Sequence, residues 1–398
     1  MIKQLFKLTW NRKRANLLIS IEIFISFLVL FAVVLMAGVY IYNYLQPLGF
    51  EYDNVVCVSV DTSARSHDAK SNAAERELFK QLQLSAQSLG EVESVALSNV
   101  DPFGNSQNVS GFERNGREIQ YSLSRVTDRY KDVMRLQLVA GRWFSREDDG
   151  SKFQPVVISQ RLAREGFGTE NPIGKAIEKH KDGTELRVIG IFSDFRQDGE
   201  LSPLENYAFF RQDEAKEDGF PLTIFLIRLR PGTPRAFEEK LITQFQSVAK
   251  EWSFEAQFLA DMRESKMKMY LVPLAAAGSI VTFLMLMVAL GLIGVLWQSV
   301  TRRTREIGVR RAFGATAGNV YLQILGELLA VTTVSLVAGT AVVGQLPLID
   351  IFGFIQGKVF VYSLLASIGI MYLLTLICGL YPSWIATRVH PSQALHYD

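Results

Sequence analysis

The chain has 398 residues, 48% of them hydrophobic, with 42 Lys and Arg against 40 Asp and Glu and only two cysteines. A formal net charge of +2 excludes the basic surplus of a nucleic-acid protein and the imbalance of a disordered acidic or basic chain. Cys57 and Cys378 are too few for a disulfide framework.

The apolar residues are segregated into four long stretches. In the first, residues 23–50 carry no charge, and 17–42 are almost wholly aliphatic or aromatic apart from Glu22. About 20 helical residues cross the roughly 30 Å hydrocarbon core of a bilayer. Residues 17–42 are therefore expected as a first transmembrane helix after a stub, 1–16. Lys3, Lys7, Arg12, Lys13 and Arg14 precede it, as in a signal peptide. The apolar run outlasts the roughly 7–15 residues of a signal core, and no small-x-small cleavage pattern follows. The helix is read as retained.

Residues 43–262 are polar enough to fold in water. A β-branched run at 55–60 predicts a strand, 73–89 a helix that stops at Gly90, and 92–98 a second strand. The same order returns at 223–230 (strand), 234–252 (helix, started by Pro234) and 254–259 (strand). Two strand–helix–strand units at the ends of one region make a split, ferredoxin-like α+β subdomain over about 53–104 and 220–260. Between its halves, about 105–218 forms an insert of mostly β or mixed structure, with strands at 119–126 and 186–192 and helices at 128–138 and 159–167. Arg142, Trp143 and Phe144 follow a turn at Gly141.

Gly168 to Lys175 invites comparison with a phosphate-binding loop, but five residues separate Gly168 from Gly174, Pro172 removes a donor, and Ala176 lacks a hydroxyl for Mg²⁺. It is read as a turn. His67, His180, His390 and His396 are scattered, and no metal spacing or nucleophile elbow is present, so no catalytic, cofactor or metal residue is assigned.

The second apolar stretch, 269–301, is 33 residues long and about 50 Å as a helix. Helical character is expected from about Met262, giving a stalk and second transmembrane helix over 263–300. Ala275, Ser279, Gly291 and Gly294 suit close helix contact. Uncharged runs at 328–349 and 359–387 predict two more spans, 319–346 and 359–385, joined by a short loop, 347–358, and followed by a tail, 386–398. The alternative, four buried helices of a soluble protein, fits poorly with charge at every flank. Glu22 and Glu327 are the ionisable residues within the spans and are functional candidates for that reason. No ladder of polar groups crosses any span, which disfavours a channel or conventional carrier.

Positive charge sets orientation. The stub carries five basic residues, and the link after the second span carries Arg302, Arg303, Arg305, Arg310 and Arg311 against Glu306. Both are expected in the cytoplasm, with both termini, leaving the large domain on the far side. Residues 43–268 hold 30 basic and 35 acidic residues and the remainder 12 and 5, so the near-neutral total is two opposite balances divided by a membrane. The cytoplasmic pieces are too short to fold alone, so any energy source there is a partner.

The link, 301–318, is expected as a short helix on the inner surface, with Arg302–Glu306 and Glu306–Arg310 spaced i,i+4 and Gly314 as its stop. It is read either as an interfacial helix held by anionic lipid or as the dock of an ATPase. Its run Arg305-Glu306-Ile307-Gly308-Val309-Arg310-Arg311-Ala312-Phe313-Gly314-Ala315, with Glu327 beyond, resembles the signature of FtsX-like, MacB-type ABC permeases. The ending Tyr381-Pro382-Ser383-Trp384 through Pro391-Ser392-Gln393-Ala394-Leu395 resembles that family's C-terminal motif. Gly141-Arg142-Trp143-Phe144, Pro172-Ile173-Gly174-Lys175 and Val188-Ile189-Gly190-Ile191 are similar to its periplasmic core domain.

The resemblance implies a bacterial inner-membrane permease whose periplasmic domain comprises a porter (the split subdomain) and a sabre (the insert). It implies a dimer with a second copy or a sister permease, each docking a separate ATPase through Arg305, Glu306, Ile307, Gly308, Arg310, Arg311, Gly314 and Ala315. ATP and Mg²⁺ would be bound by that ATPase and not by this chain. Motion would pass through the stalk to the periplasm, for export or extraction of a substrate, with a periplasmic adaptor as a further partner. Two alternatives carry the same topology: an FtsX-like regulator of cell-wall hydrolases, and a membrane sensor or adaptor without transport.

Overall fold

A computed structural model describes residues 13–61, 69–114, 116–179, 183–212, 222–302, 316–348 and 356–387. The chain forms two compact units, one of residues 43–270 and one built from the helices before and after it.

The first unit is a mixed sheet of eleven strands. After α1 (Lys13–Tyr44), the chain lays down β1 (Val55–Asp61), α2 (Ala69–Gln87) and β2 (Val92–Ser98). The hairpin β3 (Val109–Arg114) and β4 (Arg117–Val126) follows, then α3 (Tyr130–Met134), β5 (Leu138–Gly141), β6 (Phe153–Ser159), α4 (Gln160–Phe167), β7 (Ala176–Lys179), β8 (Glu185–Phe192) and β9 (Tyr207–Arg211). The unit closes with β10 (Ile224–Leu229), α5 (Phe237–Val248) and β11 (Ser253–Phe258). The strand order is β11-β1-β10-β2-β4-β9-β6-β8-β5, with β3 on β4 and β7 on β8.

The first four strands of that order are all antiparallel and are the two strand–helix–strand units interleaved, as a split ferredoxin-like arrangement requires. β1 is apolar on both faces because both are covered. Val56, Val58, Val95, Leu97, Phe225 and Ile227 pack under α2 and α5, with Leu82, Leu241 and Phe245 from the helices. On the same face of the other half-sheet, Leu123, Val156, Ile158, Ala208 and Phe210 make a separate core with Leu162 and Phe167 of α4. The opposite face is continuous: Cys57, Ala96, Val126, Val157, Phe209 and Leu226 share one core with Tyr130, Met134 and Leu259.

The insert is thus not a detached domain but the continuation of one sheet. The helix expected over 128–138 shortens to five residues, because Arg135 takes a left-handed conformation (φ 51°) that ends it and Leu138 enters a strand beside β8. Strands β3, β5, β6, β7 and β9 add to those expected. Gly141 has φ 74°, and a Cβ there would lie 2.4 Å from the Ile189 carbonyl oxygen, so glycine is required at this turn. Arg142 grips Asp148 with two bonds (2.5 and 2.7 Å), and the Trp143 indole donates to the Asp128 carbonyl. Between Gly168 and Lys175 the amides of Ile173, Gly174 and Lys175 are spent on Asn171, Val188 and Pro172, and Lys175 pairs with Glu170. This is a turn with no phosphate cradle.

The second unit packs α1 with α6 (Leu259–Arg302), α7 (Ala317–Val343) and α8 (Gly357–Thr387). All four are long and apolar enough to cross a membrane. Ile19, Ile23, Phe27, Leu30 and Leu35 form the buried stripe of α1 at helical spacing. Gly339 admits the Phe27 ring, and Gly38 faces Ser363. The spans are less bare than expected: Ser26, Thr332, Ser335, Ser363, Ser367 and Thr375 are buried. Ser335, Ser367 and Thr375 donate to carbonyls four residues back, and Thr332 meets Thr375 at 3.1 Å. Of these contacts, the Thr332–Thr375 bond joins α7 to α8.

Candidate coupling site

Three groups of residues are candidates for function, and the structure treats them differently. Arg305, Glu306, Ile307, Gly308, Arg310, Arg311, Gly314 and Ala315 lie outside the described residues, as does the tail from Arg388. On the near side α6 is described to Arg302; on the far side Thr316 caps α7, its side chain accepting from the Asn319 amide.

Glu22 turns into the bundle. A Cβ on Gly291 of α6 would sit 2.8 Å from Glu22 Oε2, so the carboxylate occupies the groove that this glycine opens between α1 and α6. Glu327 is half-buried on α7. Gly294, one turn beyond Gly291, has open space where its Cβ would be. Gly291→Leu is therefore expected to displace α1 and lower the thermal midpoint of the purified protein in detergent, whereas Gly294→Leu leaves it unchanged.

The third group lies at the root of α6. This helix follows β11 without a loop, and its 44 residues amount to about 66 Å. Leu259 is fully buried in the continuous core and Met262 packs against it. One turn on, the same face presents two cations. The Arg263 guanidinium donates to Glu200 Oε1 and stacks over the Tyr52 ring, 4.9 Å from its centre. Lys266, 9% exposed, donates to the Gly104 carbonyl at 2.7 Å and pairs with Asp198 at 3.0 Å. Burial raises the Asp101 carboxyl above its usual range, outweighing its own backbone hydrogen bond and the nearby Lys266 charge.

Two loops supply these partners. One, residues 99–108, leaves β2; the other, 193–206, joins β8 to β9. They are interlocked: the Phe103 amide donates to the Gln197 carbonyl, the Gln197 side chain to the Ser106 carbonyl, and Gln107 to Asp198. Phe103 holds φ 64°, costly for an aromatic residue, with its ring against Gly199, itself at φ 88°. The second loop also receives the other chain entry. The Asn43 side chain donates to the Leu201 carbonyl and the Arg196 amide to the Leu48 carbonyl. The 193–206 loop is thus a collar that holds both points where the chain enters and leaves the sheet unit. Buried charge of this kind is stable only while paired, so the collar fixes the root of α6 to the sheet.

This collar is not legible in the sequence, where partners lie more than 60 residues apart and charges on a helix read as a solvated face. The available signal is the spacing of Leu259, Met262, Arg263 and Lys266 on one helical face.

Two family models match successive parts of the chain. Residues 23–244 match the family model of the MacB-like periplasmic core domain, and residues 278–391 that of the FtsX-like permease C-terminal domain. A macrolide export ATP-binding/permease protein MacB from Bdellovibrio bacteriovorus is 26% identical over 69% of this chain, and the match spans 43% of that protein's length. The uncharacterized ABC transporter permease YknZ from Bacillus subtilis is 22% identical over 71% of each chain. The crystal structure of the periplasmic region of MacB from Actinobacillus actinomycetemcomitans aligns with 56% of this chain and 96% of that one, at 19% identity and a TM-score of 0.37. With the first family model alone matching more than half of its residues, the chain belongs to the MacB/FtsX-type ABC transporter permeases.

Proposed function

We propose that this permease converts ATP binding and hydrolysis in a separate cytoplasmic ATPase into movement of the sheet unit in the periplasm, for export or extraction of a substrate from that side. The observation that carries the reading is the root of α6: one helix of 44 residues, with Pro273 within it and an apolar stretch long enough to cross a membrane, begins in buried ion pairs within the sheet unit. A helix held in this way delivers displacement to whatever it is anchored in. Both termini face the cytoplasm in this reading, and the permease works as a dimer with a second copy or a sister permease.

The ATPase docks on the link through Arg305, Glu306, Ile307, Gly308, Arg310, Arg311, Gly314 and Ala315, and ATP and Mg²⁺ bind in that partner. Glu306→Lys combined with Arg310→Glu reverses the charge pattern at the centre of the link. Affinity purification of the tagged permease from its native host is expected to lose the ATPase in this variant while the protein remains folded. Copurification with unchanged ATP turnover would remove the link as the dock.

A further inference from the structure

The eleven-stranded sheet is hydrogen-bonded as one, yet its backbone ladder is shortest at the middle, where α3 and the interlocked 99–108 and 193–206 loops also cross. Strands β2 and β4 share a single paired position, Ser98 with Val126. The positions on either side are completed by side chains. The Leu97 amide donates to Thr127 Oγ1 at 3.0 Å, and the Arg125 amide donates to Asn99 Oδ1 at 2.8 Å. Backbone bonds from Thr127 to Leu97 and from Asn99 to Arg125 add to these. Flanking ladders run longer: β10 and β2 pair over six positions and β4 and β9 over five.

Packing is split at the same line. On the face covered by α2, α5 and α4, the core under α2 and α5 and the core under α4 are separate clusters among the described residues. On the opposite face a single core runs through Ala96 and Val126 and includes Leu259 at the root of α6. A sheet with a short central ladder, a cut core on one face and a continuous core on the other bends about the continuous side.

We infer that the β2–β4 seam is a hinge between two rigid half-sheets, and that Lys266 ties it to α6 by holding the 99–108 loop, which leaves the seam, against Asp198 of the collar. The hinge itself stands on this geometry, and its use in transport rests on the reading above. Displacement of the root of α6 then changes the angle between the half-sheets and opens or closes the gap between the α2–α5 layer and α4.

The test uses the full chain in lipid nanodiscs, spin-labelled in pairs. Lys80 on α2 and Thr169 after α4 are exposed and lie on different half-sheets, whereas Lys80 and Gln246 on α5 share one. The Lys80→Cys/Thr169→Cys pair is expected to give a distance distribution about twice as wide as Lys80→Cys/Gln246→Cys. Thr127→Val with Asn99→Ala should widen the first and leave the second alone, which also reports that the half-sheet remains folded. Lys266→Met with Asp198→Asn, which touches neither strand and leaves no carboxylate stranded, should widen the first as well. Equal widths in both pairs, unmoved by Thr127→Val/Asn99→Ala and by Lys266→Met/Asp198→Asn, would overturn the hinge. No ATPase is present, so a hinge found here that ignores ATP in the assembled transporter would remove the transport reading alone.

Discussion

Arg228→Met is expected to lower the stability of the sheet unit by about 3 kcal/mol, since orphaned buried acceptors each cost about 1–3 kcal/mol. For a unit of this size that is a fall of roughly 6–12 °C in its thermal midpoint. Arg228 is 2% exposed on β10 and makes no ion pair within 4 Å among the described residues. Its guanidinium donates to the carbonyls of Val133 (2.6 Å), Glu51 (3.1 Å) and Asp53 (3.2 Å). One side chain therefore pins the end of α3 and the segment that leads from α1 into β1. Arg228→Lys keeps the charge but not the planar fork, and is expected to recover less than half of the loss. Differential scanning fluorimetry of the purified protein, following the extracytoplasmic transition, measures both. A midpoint within about 2 °C of the parent in Arg228→Met would show that the three carbonyls find other donors, against the expectation.

The second large effect concerns function. Removing Lys266 or Arg263 alone strands a buried carboxylate, which costs about 3–5 kcal/mol and confounds any loss of activity. Neutralising each pair together avoids this. The variant Asp198→Asn, Glu200→Gln, Arg263→Met and Lys266→Met keeps volume and removes the charge that locks α6 into the collar. In the assembled transporter it is expected to retain ATP turnover while the Lys80–Thr169 separation stops responding to ATP. Turnover and response lost together, or both retained, would show that the collar does not carry the motion.

The split half of the sheet is the part most readable from sequence. Apart from Ser59 and Arg228, Val55 to Val60 and Ile224 to Leu229 are apolar on both faces because helices or core cover both, and Gly90 and Pro234 punctuate the helices between them. Periodicity over six to nineteen residues is enough there. In the insert it is not. β5 and β7 have four residues each, too few to show a period, and Pro155 within β6 argues locally against a strand. Pro155 is tolerated in a central strand because β6 pairs with β9 only from Val156 onward. Residues 128–138 alternate in a way that suits a helix, and only the left-handed Arg135 reveals the break. Such a conformation is set by the neighbours a residue finds, not by its identity.

Candidate sites divide along the same line. Glu22 is visible in the sequence because a carboxylate in an apolar stretch is conspicuous, but its seat against Gly291 depends on how two helices pack. The collar goes unseen because each of its charges is ordinary by itself. Glu200 and Arg263, or Asp198 and Lys266, become significant only when the fold brings them together and removes water. The link is the reverse case, conspicuous as a motif, with its docking role resting on resemblance.

Disulfide crosslinking at Met269 reads out movement of α6 beside its anchor. Met269 lies on the exposed surface of α6, one turn beyond the collar. With Met269→Cys in the transporter reconstituted with its ATPase, the rate of crosslinking between the two permease copies is expected to change several-fold on addition of ATP and Mg²⁺, and to return after hydrolysis. An identical rate with and without nucleotide, in a complex that still turns over ATP, would contradict transmission through α6.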